Sequence, residues 1–218
     1  MTELPRLLQL VSSALPVGGF AYSRGLETAV ERGWVSNVEE TRDWIAGLLH
    51  RSVAVLDAPL VDRLYVAWAE GKGVDPWVEL AVATRETYEL QRESESMGRA
   101  LTRLIRDLSL ISGEEEVLAK KAYVAAFALA AQRFGLDRER ALEGFLWTWL
   151  EATVAAAIKL VPLGQTEGQR LLFELSPALA EVAERARALP DDDIGAVVPG
   201  FALASMLHET QHTRLFRS

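Results

Sequence analysis

Apolar residues along this chain recur three and four positions apart. Nowhere do they alternate with polar ones over the length of a strand, so the pattern is helical throughout. Leu7, Leu8, Val11 and Leu15 keep that spacing up to Pro16, and a second segment from about residue 20 to 32 closes on Gly33 as a C-terminal cap. Ser36 and Glu39 have the spacing of a capping box and open a helix whose Val38, Trp44, Ile45, Leu48 and Val53 share one face. Pro59 interrupts it, and Leu60, Leu64 and Trp68 continue to Gly71 and Gly73. Asp75 then reads as an N-cap with Pro76 at the first helical position of a long region reaching Leu108, in which Gly98 marks a bend or a close approach to a neighbouring helix.

The next two segments are apolar nearly all round. Glu114 to Phe134 is Ala-rich and ends at Gly135, and Asp137 caps a helix that runs to about Val161; the stretches 122–131 and 144–150 carry no charge. Such helices belong at the centre of a bundle. Segments 164–175 and 177–189 follow, and beyond Asp191 the signals weaken. The expected architecture is an all-α, single-domain bundle of about eight to ten helices over residues 1–207, with a flexible C-terminal tail at 208–218.

Composition narrows the function classes. The chain has 218 residues, 23 Lys+Arg against 31 Asp+Glu, a net charge of −8, and no cysteine. Disulfide frameworks, thiolate metal clusters and thiol nucleophiles are excluded. The acidic balance disfavours nucleic acid or an anionic membrane as the main partner. The uncharged stretch from Leu7 to Ser23 fails as an export signal, because Gln9, Ser12, Ser13 and the Pro16–Gly19 turn break it and Glu3 offsets Arg6. A cytoplasmic protein is expected.

Candidate chemistry is sparse. His208-Glu209-Thr210-Gln211-His212 matches H-E-x-x-H, in which two histidines one helical turn apart hold zinc and the glutamate polarises a water, so a zinc-dependent hydrolase is the rival reading. It lacks a third ligand, since only six residues follow and the remaining histidine is His50. No phosphate-cradling loop exists: Gly18-Gly19 leads into Phe20. Ser12, Ser13 and Ser23 have no neighbouring His as base. Arg85, Arg92, Arg99 and Arg106 repeat every seven residues and read as a solvated face paired with Glu86, Glu93 and Glu95. The tryptophans read as core.

Three segments carry more. Residues 15–27, LPVGGFAYSRGLE, place Pro16, Gly18 and Gly19 between helices and present Tyr22, Ser23 and Glu27 at the next corner. Residues 162–170, PLGQTEGQR, carry Gln165 and Gln169 one turn apart. Residues 208–218, HETQHTRLFRS, set Leu215 and Phe216 between Arg214 and Arg217, apolar anchors with charged flanks in a segment suited to ordering on a partner. With GLETAVERGWV at 25–35 and Met97-Gly98-Arg99, these segments resemble the UreF family of urease accessory proteins over essentially the whole chain.

The resemblance implies an all-helical homodimer without catalytic activity or cofactor of its own. It would bind the accessory protein UreD (UreH in some organisms) and the GTPase UreG, in a complex that delivers nickel to apo-urease. The candidate partner contacts within the three segments are Pro16, Gly18, Gly19, Tyr22, Ser23, Glu27, Gln165, Gln169, His208, Glu209, Arg214, Leu215, Phe216 and Arg217; packing between helices is the alternative role for the 16–27 corner, and partners within the bundle are the alternative for Gln165 and Gln169. His212 stands where the family usually has Tyr, and Leu207 where a polar residue is usual, so the H-E-x-x-H match is an accident of substitution. Three histidines and no cysteine also disfavour a high-affinity nickel site within one chain.

Overall fold

A computed structural model describes residues 3–111, 113–195 and 197–218. Its centre is the helix α8, Tyr123–Arg133, in which every residue from Val124 to Ala131 is buried. Five of those residues are alanines. Small side chains leave room for two neighbours to approach closely, and α8 packs most extensively on α4 (Asp57–Glu70) and α6 (Tyr88–Asp107). The Trp68 indole N–H donates to the Ala125 carbonyl at 3.1 Å, tying α4 to α8. Phe127 meets Phe145 edge to face at 5.3 Å between centroids, tying α8 to α9 (Arg138–Leu160). As the sequence predicts, Asp137 caps α9, accepting the Arg140 N–H.

Around this centre lie α1 (Glu3–Leu10), α2 (Leu26–Glu31), α3 (Val38–Leu48), α5 (Val74–Ala83) and α7 (Glu114–Ala119), then α10 (Gln165–Leu175), α11 (Ala178–Ala188) and α12 (Pro199–His208). The described residues contain twelve α-helices and no strand, so the all-α expectation holds while the helix number exceeds it. Two predicted long helices are each divided. The first breaks at residues 84–87, where Thr87 caps α6 by accepting the Leu90 N–H. The second breaks at residues 120–122, where the backbone of Ala122 is extended. There Gly98 permits a close approach: a Cβ on it would lie 2.9 Å from the Ala122 carbonyl carbon. Ser94 Oγ accepts the Tyr123 N–H at 3.2 Å.

Local boundaries shift for similar reasons. The cap of α3 is Asn37, not Ser36, and Glu40 rather than Glu39 reaches back to the Ser36 N–H and hydroxyl, both at 2.8 Å. Gly73, with φ +71°, stands at the α5 N-cap, so Asp75 and Pro76 fall inside its first turn. Pro59 occupies the first turn of α4, where it needs no N–H partner, and a π-helical turn at Leu49–Val53 joins α3 to α4. No single helix among the described residues is long and apolar enough to cross a membrane.

Candidate functional site

The segment before α2 folds by using backbone that few residues accept. Gly18 (φ +76°) precedes a 3-10 turn at Gly19–Ala21, Tyr22 is extended, and Arg24 (φ +53°) and Gly25 (φ +76°) turn the chain into α2. A left-handed arginine costs on the order of 1 kcal/mol. Its side chain offsets that cost. Arg24 Nε donates to Glu93 at 3.0 Å, and Nη1 donates to the Trp149 carbonyl and the Thr153 hydroxyl, both at 3.2 Å. Gly25 is also where α12 crosses, since a Cβ there would lie 3.1 Å from that of Ala204.

This corner receives the C-terminal segment. Glu27, on α2, accepts the backbone N–H of Leu215 at 2.6 Å and of Phe216 at 2.9 Å. The Arg217 N–H donates to the Ala21 carbonyl at 2.8 Å. The Ser23 N–H and hydroxyl both donate to the Ser218 carbonyl oxygen, at 2.5 and 2.6 Å, and the Ser218 hydroxyl donates to Glu93 at 3.0 Å. Phe216 is buried, with the Lys159 ammonium 5.5 Å from its ring centre. The expectation of a frayed tail is therefore corrected. Residues 214–218 dock into the bundle because buried carboxylates and backbone groups from distant helices complete their hydrogen bonds.

His208 sits beneath the tail with no exposed surface, its Nδ1 2.8 Å from Glu89 and its Nε2 3.2 Å from Glu27. Glu89 also takes Arg214 Nη1 at 3.1 Å. Burial pushes the Glu89 carboxyl up from the usual range, opposed by His208 and Arg214. The zinc reading fails on this geometry. Helix α12 ends at His208, so Glu209 and His212 leave the helix, and His212 is exposed while His208 is committed to two carboxylates. Among the described residues no group of three or more His, Asp or Glu could hold a metal ion.

The site residues predicted from sequence divide into three sets. Tyr22, Ser23, Glu27, His208 and Phe216 are buried around the docked tail, with Gly19 buried just before them. Arg214, Leu215 and Arg217 are exposed on the tail itself, Glu209 is exposed just before it and accepts the Tyr88 N–H at 3.1 Å, and Pro16 and Gly18 are exposed ahead of the 3-10 turn. Gln165 and Gln169 lie elsewhere, exposed on α10, a helix that packs on α9 and α3. Sequence reasoning missed Arg24, Glu89 and Glu93. Two carboxylates four apart on the helix face that also carries Leu90 and Met97 were the available signal, and both are buried. Three arginines of the stripe that repeats every seven residues are surface groups: Arg92 is exposed, Arg99 pairs with Glu95, and Arg106 pairs with Asp107 and Glu116. Arg85 instead pairs with Asp57 at 2.6 Å.

Beside the corner lies a cavity of about 110 Å³ whose lining includes Arg24, Glu86, Glu93, Tyr123, Trp149 and Glu151. Burial raises the pKa of Glu86 and Glu151, and Glu151 Oε2 is buried without a hydrogen-bond partner. The corner as a whole binds a peptide segment of the same chain.

The UreF family model matches residues 35–176. Relatives named urease accessory protein UreF are similar over nearly the whole chain. The protein from Alkalilimnicola ehrlichii is 47% identical, covering 98% of this chain and 95% of its own length. That from Chromohalobacter salexigens is 46% identical, covering 99% and 94%. That from an Azoarcus species is 45% identical, covering 100% and 97%.

Proposed function

Because the chain belongs to the UreF family of urease accessory proteins, we propose that it is a cytoplasmic, non-enzymatic adaptor of urease maturation. It joins UreD (or UreH) and UreG, as a homodimer, in a complex that loads nickel, the cargo, into apo-urease. The observation that carries this reading is the docked tail. Glu27 fixes the backbone of Leu215 and Phe216, and this holds the Leu215 side chain outward, 64% exposed. An apolar side chain held rigid in water is a preorganised anchor for a partner, because its ordering cost is met before binding. Met206 and Leu203 on α12 and Tyr88 at the start of α6 add exposed apolar surface on the helices that carry His208 and Glu89.

Calorimetric titration against UreD tests the reading. Leu215→Ala should weaken capture by roughly 30-fold, equivalent to ~2 kcal/mol for a lost anchor, with an unchanged melting temperature. Phe216→Ala should weaken it by unseating the tail. Deletion of residues 209–218 should abolish capture, and unchanged affinity in that variant would refute the docking role. Sedimentation as a monomer at micromolar concentration would refute the dimer.

A further inference from the structure

The cluster beneath the tail has a proton requirement that can be counted. A neutral imidazole carries one N–H, so it can donate to one carboxylate only. Yet both ring nitrogens of His208 face carboxylate oxygens, Glu89 at 2.8 Å and Glu27 at 3.2 Å, where no solvent reaches the ring. With His208 neutral and both glutamates ionised, one nitrogen lone pair would point at a carboxylate. The closed arrangement is complete only with one more proton, as an imidazolium between two carboxylates or as a protonated carboxyl donating to the ring.

We propose that this shared proton is the latch of the tail, so that its loss as pH rises releases residues 214–218 from the bundle. The same two carboxylates hold the tail directly, Glu27 through the N–H groups of Leu215 and Phe216, and Glu89 through Arg214. The charged groups facing the cluster are Glu27 from α2, Glu89 from α6, Glu209 from the turn after α12, and Arg214 from the tail. Glu93, one turn along α6, is already engaged by Arg24 and Ser218. With the proton present, the charges of Glu27, Glu89, His208 and Arg214 cancel. Without it a net negative charge is buried, and opening returns both carboxylates to water. The closed form binds more protons than the open form, so closure is favoured at low pH and lost as pH rises. The burial-driven rise at Glu89 acts in the same direction.

The full chain allows a direct test, because without cysteine it accepts a single trifluoromethyl tag at Leu215→Cys, an exposed position. Fluorine spectra from about pH 5.5 to pH 8.5 bracket ordinary histidine titration. A tagged peptide of residues 209–218 marks the open position. The docked-to-open ratio should fall by up to tenfold per pH unit across the transition. Glu89→Gln supplies an amide that can donate to the neutral ring, so in that background the ratio should stay constant. A constant ratio in the parent, or the same fall in the Glu89→Gln background, would overturn the latch. UreD plays no part in this measurement, so the latch and the adaptor reading fail independently.

Discussion

Replacing Glu27 with Ala should open the tail without unfolding the bundle. The side chain accepts two backbone N–H groups from the tail and faces the ring of His208, which leaves three polar groups without a partner once it is gone. Each unsatisfied buried donor costs about 1–3 kcal/mol, but a tail that can swing into water caps the sum, so about 3 kcal/mol should be lost from tail closure. That converts to roughly a 100-fold rise in the open population. Arg214 and Arg217 are tryptic sites that need an extended, freed backbone, and native-state cleavage follows the open population when opening is fast. Trypsin should thus remove the end of the tail roughly 100-fold faster from the variant. Circular dichroism should show near-parental melting, because α2 keeps Leu26 and Ala29 in a separate apolar cluster with Val35, Ala157 and Val161. An unchanged cleavage rate would refute the claim that Glu27 holds the tail. A collapsed melting transition would refute the claim that the tail opens independently.

Gly98→Ala should lower stability by about 1–3 kcal/mol, since the new Cβ meets backbone rather than a flexible side chain, whereas Gly47→Ala, with open space around it, should leave stability unchanged or raise it. Chemical denaturation distinguishes these outcomes. Phe127→Ala should cost about 3–5 kcal/mol, by the same assay, because the ring is fully buried against Phe145 and Tyr123. Glu151→Gln should stabilise the chain at neutral pH. Burial raises the Glu151 carboxyl above 4.5, so its contribution is present below that value and is lost as pH rises through the folded-state value. The gain of the variant over the parent should grow over that interval in melting curves and then level off.

What the sequence made legible were features whose causes are local. The charge-free stretch 122–131 announced a central helix, Asp137 announced the start of α9, and Gly98 announced a close approach. The break between α7 and α8 was hidden, because the group that caps it, Ser94, comes from another helix. The tail was misjudged for the same reason. A peptide of Arg, Leu and Phe reads alike whether free or docked, and here the difference is made by Glu27 and Glu89. Measured from His208, those residues are 181 and 119 positions away along the chain. Buried carboxylates on a charged helix such as α6 also look like partners for surface arginines until packing separates Glu89 and Glu93 from Arg92 and Arg99.

The alanines of α8 impose an asymmetric limit on how this chain can drift. Ala125, Ala126, Ala128, Ala130 and Ala131 have no exposed surface, and α4 and α6 close directly over the helix that carries them. A larger residue at any of them must push against packed neighbours, at a typical cost of about 1–3 kcal/mol, and the single smaller choice, glycine, weakens the helix by roughly 1 kcal/mol. Leucines elsewhere in the core can exchange for isoleucine or methionine with compensating shifts nearby. These five positions have no such trade available. Neutral substitutions should therefore accumulate on the outer helices and spare α8, making its plainest residue type the least replaceable.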